Sequence, residues 1–198
     1  MSLRHSYTLI APFYDAAIAA ATRRARAGSA AWLKDRAPMR VLVSGVGTGL
    51  DLPHLPAGHD YVGLDFTAAM LHRSRPRAGR HNYRTVQGDA MRLPFRDHCF
   101  DCAILHLILA VVPDPRLCLL ETARVLRSGG QLLVFDKFLK PGESARLRRL
   151  LNPLSRRIAT RMDVVFEEVL ANAPELELEW DEPALAGGWF RRLGLRKA

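Results

Sequence analysis

The chain has 198 residues, 48% of them hydrophobic and 25% charged, and a formal net charge of +9. This length and hydrophobic content predict one folded domain and exclude global disorder. The longest nearly uninterrupted apolar run, from Cys102 to Val112, is too short to span a bilayer. The N-terminus lacks the ordered basic, apolar and small-residue regions of a signal peptide, so we expect a cytoplasmic protein.

Short apolar runs predict five strands in chain order, at residues 40–44, 61–64, 83–87, 100–105 and 131–135. Helical patterns separate these runs. Thr67 is the expected N-cap of a helix through Ser74, and Asp114 before Pro115 predicts a second helix that ends near Arg127. Strands that alternate with helices are typical of a parallel sheet with crossover helices, which predicts a doubly wound α/β fold.

The C-terminal third predicts helices followed by a hairpin. The fifth strand is entered through a turn at residues 128–130, and after Pro141 the pattern becomes helical, first basic and then acidic. Residues 176–180 alternate apolar and polar side chains, and residues 189–197 form another candidate strand, so we expect an antiparallel pair. The sequence thus predicts a seven-stranded mixed sheet with helices on both faces, in a single domain of residues 1–198.

A glycine-rich loop follows the first strand directly. Val41 to Val43 predict a buried strand, and Gly45, Gly47 and Gly49 then let the backbone turn sharply and approach a ligand closely. Leu50 stands where the dinucleotide fingerprint requires its third glycine. The loop therefore favours a nucleoside cofactor without a pyrophosphate, such as S-adenosylmethionine. The alternative is an ordinary tight turn between a strand and a helix.

Two acidic residues end the next two predicted strands. Asp65 comes twenty positions after Gly45, and a carboxylate at this point of an α/β nucleotide site accepts hydrogen bonds from ribose hydroxyls. Asp89 ends the third strand, where it could accept from an adenine amine while a neighbouring backbone N–H meets the ring. Each acid alone could be a solvated strand end, but together with the glycine loop they predict one cofactor site at one edge of the sheet.

The chain resembles the class I S-adenosylmethionine-dependent methyltransferases over nearly its whole length, which implies a Rossmann-like sheet. The matching segments are residues 41–49, 63–65, 88–90, 100–101 and 123–130. Residues 10–15, 45–53 and 111–115 are most similar to the group of quinone methyltransferases and bacterial phosphatidylethanolamine N-methyltransferases. The resemblance implies cofactor contacts at Gly45, Gly47, Gly49, Asp65, Phe66, Asp89, Ala90 and His106.

Two positions depart from that family. Many relatives carry an acid two residues before the first motif glycine, where it helps to hold the amino group of the cofactor, and this chain has Val43 there. The phospholipid enzymes often carry Asn-His-Phe after the fifth strand, whereas this chain has Asp136-Lys137-Phe138. The first change removes a cofactor partner, and the second alters the charge near the expected acceptor pocket.

The candidates for shaping the reaction site are Tyr14, His106 and Asp136, with Tyr7 behind them. The alternative for each is structural: a core aromatic, a hydrogen-bonded histidine at a strand end and a strand-terminating acid. We expect residues 1–36 to form a helical lid and residues 137–172 a helical cap over the substrate. No metal is expected, because the C-x-x-C at residues 99–102 has no second ligand pair at zinc spacing.

Arginine clusters are the best indication of a partner. They comprise Arg23, Arg24 and Arg26 after the first helix, then Arg73, Arg75, Arg77, Arg80 and Arg84, and finally Arg146, Arg148, Arg149, Arg156, Arg157 and Arg161. Basic helices with leucines, such as residues 147–158, can lie on an anionic membrane, although ordinary solvated helices have the same composition. We therefore expect a lipid or other hydrophobic small molecule as the methyl acceptor. The most specific form of this hypothesis is an amine of a phospholipid head group.

Other functions remain open from the sequence. A quinone or soluble small molecule is the alternative acceptor, and a non-catalytic cofactor-binding subunit is the alternative class. A nucleic-acid substrate is disfavoured, because residues 106–109 lack the motif of nucleic-acid amino-methyltransferases and few aromatic residues lie among the arginines. We expect a monomer or a homodimer.

Overall fold

The computed structural model describes residues 19–139 and 163–198, which form one seven-stranded sheet with helices on both faces. The strands are β1 (Arg40–Ser44), β2 (Asp60–Asp65), β3 (Asn82–Gln87), β4 (Phe100–His106), β5 (Leu126–Lys137), β6 (Leu176–Leu185) and β7 (Phe190–Lys197). The helices are α1 (19–30), α2 (Ala68–Ser74), α3 (Pro115–Val125) and α4 (Phe166–Leu170). The predicted fold class is confirmed.

The strand order is β3-β2-β1-β4-β5-β7-β6. The first five strands are parallel, and β7 runs antiparallel between β5 and β6. From β1 the chain first builds outward through β2 and β3, and then returns to place β4 on the other side of β1. This reversal creates a crevice beyond the carboxyl ends of β1 and β4, which is where open α/β sheets bind ligands.

The core consists of two apolar clusters, one on each face of the sheet. In β1, Leu42 belongs to the cluster under α3, whereas Val41 and Val43 belong to the cluster with Ala30 of α1 and Leu71 of α2. Successive side chains of a strand point to opposite faces, so a continuous apolar run is expected for a strand that is covered on both sides. The apolar run at residues 41–43 therefore contributes side chains to both apolar clusters.

Local signals predicted the start of α3 correctly. The side chain of Asp114 accepts hydrogen bonds from the backbone N–H groups of Arg116 and Leu117, and Pro115 occupies the first helical turn. These contacts satisfy two donors that a helix start leaves unpaired. α2 likewise starts after Thr67, as predicted, but without a side-chain capping bond.

Two predicted boundaries were wrong. β5 starts at Leu126 and not after a turn at 128–130, because Leu126 pairs with Phe100 before the register shifts to Cys102 opposite Gln131. The irregularity includes Gly129, whose φ of 73° suits a bulge. The first arginine cluster does not follow the first helix; it lies within α1, which continues through residue 30.

The predicted lid and cap are only partly among the described residues. Tyr7, Tyr14 and residues 140–162 lie outside them. The two described ends of the cap meet, because the N–H of Leu139 donates to the carbonyl of Val164 at 2.8 Å. No helix in the described ranges has the length and apolarity needed to cross a bilayer.

Candidate active site

The loop after β1 is packed tightly against two neighbouring segments. Gly45, Gly47 and Gly49 have φ values of 68°, 55° and 84°, which favour glycine. A Cβ at Gly45 would lie 2.3 Å from Cδ1 of Ile108, in the loop after β4. A Cβ at Gly49 would lie 3.0 Å from Cα of Ser74 at the end of α2. Glycine is thus required there by the backbone and by the packing together.

Asp65 holds this loop in place. Its Oδ2 accepts from the N–H of Gly47 at 2.9 Å, and its Oδ1 accepts from both the N–H and the hydroxyl of Thr67, each at 2.9 Å. The carboxylate at the end of β2 is therefore oriented before any ligand arrives. Each oxygen has two lone pairs, so Oδ2 retains an acceptor site for a ribose hydroxyl. The predicted ribose contact stays a prediction, and this geometry fits it.

The residues predicted to contact adenine lie at the same edge of the sheet. Asp65 and Gln87 are partners across β2 and β3, which places the turn at Asp89 beside the end of β2. Oδ1 of Asp89 accepts from the N–H of Met91 at 2.8 Å, and Ala90 is buried. The ring of Phe66 is 59% exposed, so it offers an apolar surface on which a base could stack.

His106 lies in a buried polar network at the end of β4. Its Nδ1 donates to Oδ1 of Asp51 at 2.6 Å, and its Nε2 lies 2.9 Å from the hydroxyl of Ser29 in α1. Nη1 of Arg26 lies 2.7 Å from the same oxygen of Asp51, and Nε of Arg26 donates to Thr22 at 3.0 Å. All five side chains are buried. The network therefore joins α1 to the residues that follow the glycine loop.

Asp51 is ionised in this network. Burial opposes its ionisation, but the nearby His106 and the guanidinium of Arg26 outweigh burial and hold the pKa of the Asp51 carboxyl well below its usual range. Asp51, Arg26 and Ser29 are not among the site residues predicted from the sequence. Arg26 belongs to the first arginine cluster, which the sequence offers as an indication of a partner, yet this residue is only 6% exposed.

Asp136, the second described candidate, lies fully buried near the end of β5. Its Oδ2 accepts from the N–H of Ala110 at 3.1 Å, and its Oδ1 accepts from the N–H of Lys137 at 2.8 Å. Burial raises the pKa of the Asp136 carboxyl to about 6, although the two backbone hydrogen bonds oppose the change. His106 and Phe135 are partners across β4 and β5, so both described candidates lie at the same end of neighbouring strands.

Comparisons with known proteins agree with this geometry. A family model described as a methyltransferase domain matches residues 42–134. A phosphatidylethanolamine N-methyltransferase of Cereibacter sphaeroides is 33% identical over 163 residues, which cover 80% of this chain and 80% of that protein. The chain belongs to the class I S-adenosylmethionine-dependent methyltransferases. The family resemblance predicted from the sequence is confirmed.

Two further relatives of this methyltransferase are informative. A demethylmenaquinone methyltransferase of Renibacterium salmoninarum is 39% identical over 98 residues, which cover 49% of this chain but only 40% of that protein. The crystal structure of a SAM-dependent methyltransferase from Thermotoga maritima aligns over all of both chains with a TM-score of 0.72 and 18% identity, which shows the common fold. S-adenosylmethionine is the cofactor.

Proposed function

We propose that this methyltransferase acts on a phospholipid, with an amine of the head group as the methyl acceptor. The observation that carries the proposal is the extent of similarity to the Cereibacter sphaeroides enzyme. An alignment of 163 residues cannot fit within residues 42–134, so the similarity continues into segments outside the methyltransferase domain match. The demethylmenaquinone methyltransferase matches over 98 residues, close to the length of that domain match alone.

For this reaction the protein has two main tasks. It aligns the acceptor with the methyl group of the cofactor, and it removes a proton from the acceptor amine. The bound cofactor supplies a methyl group on a sulfonium, and its transfer is an in-line displacement that alignment accelerates. A head-group amine is an ammonium at neutral pH, so it must lose a proton before its lone pair can attack. A carboxylate with a pKa of about 6 is largely ionised at pH 7 and can attract the ammonium and accept that proton, and we assign this role to Asp136.

The other candidates have positioning roles in this proposal. Both ring nitrogens of His106 already contact protein groups, Asp51 and Ser29. A proton transfer to this ring would have to break one of those contacts, so His106 shapes the wall of the site and does not serve as the base. Tyr14, which belongs to the predicted lid of residues 1–36 but lies outside the described residues, stays a candidate for contact with the acceptor.

The proposal predicts methylation of phosphatidylethanolamine in vesicles. Purified protein would be incubated with methyl-labelled S-adenosylmethionine and vesicles of phosphatidylethanolamine and phosphatidylglycerol, and labelled lipid would be separated and counted. We expect labelled phosphatidyl-N-methylethanolamine from the wild-type protein. Asp65→Ala should give much less product at the same cofactor concentration, because the loop loses its anchor.

A quinol acceptor provides the opposing outcome. The same assay with a demethylated naphthoquinol in phosphatidylglycerol vesicles tests the acceptor suggested by the similarity to a demethylmenaquinone methyltransferase. Label in the quinol but none in phosphatidylethanolamine would reject the phospholipid and identify a quinone methyltransferase.

A further inference from the structure

We propose that Arg26 and Asp51 together bind the amino-acid end of S-adenosylmethionine. The α-amino group would contact Asp51 and the α-carboxylate would contact Arg26. Neither residue belongs to the predicted cofactor site. The proposal rests on the cofactor of the family and not on the proposed lipid acceptor.

The position of the pair supports this assignment. Val43, which replaces the acid of many relatives, is the β-sheet partner of Ile104, and both belong to the same apolar cluster. His106 is two residues beyond Ile104, so its side chain points to the same face of the sheet. Asp51 contacts His106 at 2.6 Å. Asp51, in the turn after the glycine loop, thus places a carboxylate on the face of the sheet where many relatives have the acid that Val43 replaces.

The chemistry of the pair also suits a zwitterion. Asp51 uses Oδ1 for both His106 and Arg26, and no described residue donates a hydrogen bond to its Oδ2. Arg26 uses Nε for Thr22 and Nη1 for Asp51, and within the described ranges Nη2 has no acceptor. A buried ion pair that leaves one acceptor and one donor unused can bind an ammonium and a carboxylate side by side. Charge-assisted hydrogen bonds of this kind are among the strongest in proteins.

The two remaining members of the network position the pair. Ser29 and Asp51 contact opposite nitrogens of the His106 ring, which fixes the ring and therefore the Asp51 carboxylate. Because Arg26 and Ser29 both belong to α1, docking of that helix completes the binding site. A network that only stabilises the fold would have the same contacts, so the test must separate ligand binding from stability.

The test compares a ligand that has the amino-acid end with one that lacks it. S-adenosylhomocysteine carries the α-amino and α-carboxylate groups, whereas 5′-methylthioadenosine does not. Titration calorimetry on wild-type protein should give tighter binding of S-adenosylhomocysteine. In Asp51→Asn its affinity should fall about tenfold to a hundredfold, since a charged hydrogen bond is lost. The affinity for 5′-methylthioadenosine should stay within about twofold of wild type.

A second variant and a matched control complete the design. Arg26→Lys keeps the buried positive charge but loses the planar guanidinium, so it should show the same selective loss even if Asp51→Asn does not fold. Asp97→Asn removes the carboxylate of another arginine ion pair, Arg124 to Asp97 at 2.6 Å, and should change neither affinity. Equal losses for both ligands, or equal affinities in the wild-type protein, would overturn the proposal and leave the network a structural role.

Discussion

At the scale of single residues, Asp136 differs from Asp51. Asp51 contacts Arg26 and His106, which lower the pKa of its carboxyl, whereas Asp136 is 1% exposed and accepts from the backbone N–H groups of Ala110 and Lys137. Burial dominates, and the pKa of its carboxyl rises to about 6. A group that is unstable in its charged form is also a group that readily accepts a proton, which is the property that the proposed reaction requires.

This raised pKa predicts how stability depends on pH. The folded protein holds the Asp136 proton up to pH of about 6, whereas the unfolded chain loses it near the ordinary value of 3.8. The stability contributed by the protonated carboxyl is therefore present below about pH 4 and is lost as pH rises to about 6, a loss of about 3 kcal/mol. Asp136→Asn cannot titrate at this site. Urea unfolding at several pH values would measure the free energy of unfolding of both proteins. Relative to the wild-type protein, Asp136→Asn should become more stable by up to about 3 kcal/mol between pH 4 and 7. A difference that does not change with pH would contradict the raised pKa of Asp136.

At the scale of secondary-structure elements, α3 shows how a short local signal sets a boundary. Asp114→Ala should lower the free energy of unfolding by about 1 kcal/mol, because two backbone N–H groups lose the carboxylate that accepts from them. Urea denaturation would measure the change. Glu177→Ala, at an exposed position of β6, is the control and should have little effect. A loss no larger than that of the control would mean that water replaces the cap without cost.

Features that depend on neighbouring residues could be predicted from the sequence, whereas contacts between residues far apart in the chain could not. The strands, the glycine loop and the start of α3 depend on neighbours in the chain, and their patterns indicated them. The ring of His106 contacts residues 55 and 77 positions away, and no periodicity reports such pairs. Arg26 therefore resembled the solvated arginines beside it in α1. The early start of β5 was hidden for the same reason, since the pairing of Leu126 with Phe100 is a contact between strands.

At the scale of the whole molecule, the excess of positive charge is unevenly placed. The acids of β6 face basic residues of β7, as in the ion pairs of Asp181 with Arg191 and Glu182 with Arg192. At the opposite edge of the sheet, no acid occurs between residues 66 and 88, and Arg73, Arg80 and Arg84 are exposed. Among the described residues, an excess of positive charge therefore lies at the β3 edge, away from β6. Such an asymmetry orients a protein on an anionic surface.

The proposed lipid substrate predicts which of these basic groups contacts the membrane. The predicted substrate cap of residues 137–172 includes the arginines at 146, 148 and 149, which lie outside the described residues. On the proposal, these arginines contact the membrane that contains the acceptor. Replacing these three with Gln should weaken binding to phosphatidylglycerol vesicles about a hundredfold at most, since each basic residue near the surface contributes about 1 kcal/mol. Co-sedimentation at low and high salt would measure it.

The matched control is the triple replacement of Arg73, Arg80 and Arg84 with Gln, which removes the same charge from the β3 edge. It should cost much less binding. Equal losses in the two triple variants would indicate that vesicle binding follows total charge and does not depend on the predicted cap.

The contact between Leu139 and Val164 has a further consequence. Because Leu139 and Val164 lie within hydrogen-bonding distance, the framework already holds together the two positions that bracket residues 140–163. Lengthening a loop whose ends are fixed costs little free energy, since the closure entropy grows only with the logarithm of its length. Insertions, deletions or exchanges between Leu139 and Val164 should therefore cost little stability, while the strands that carry the glycine loop and Asp65 keep their register.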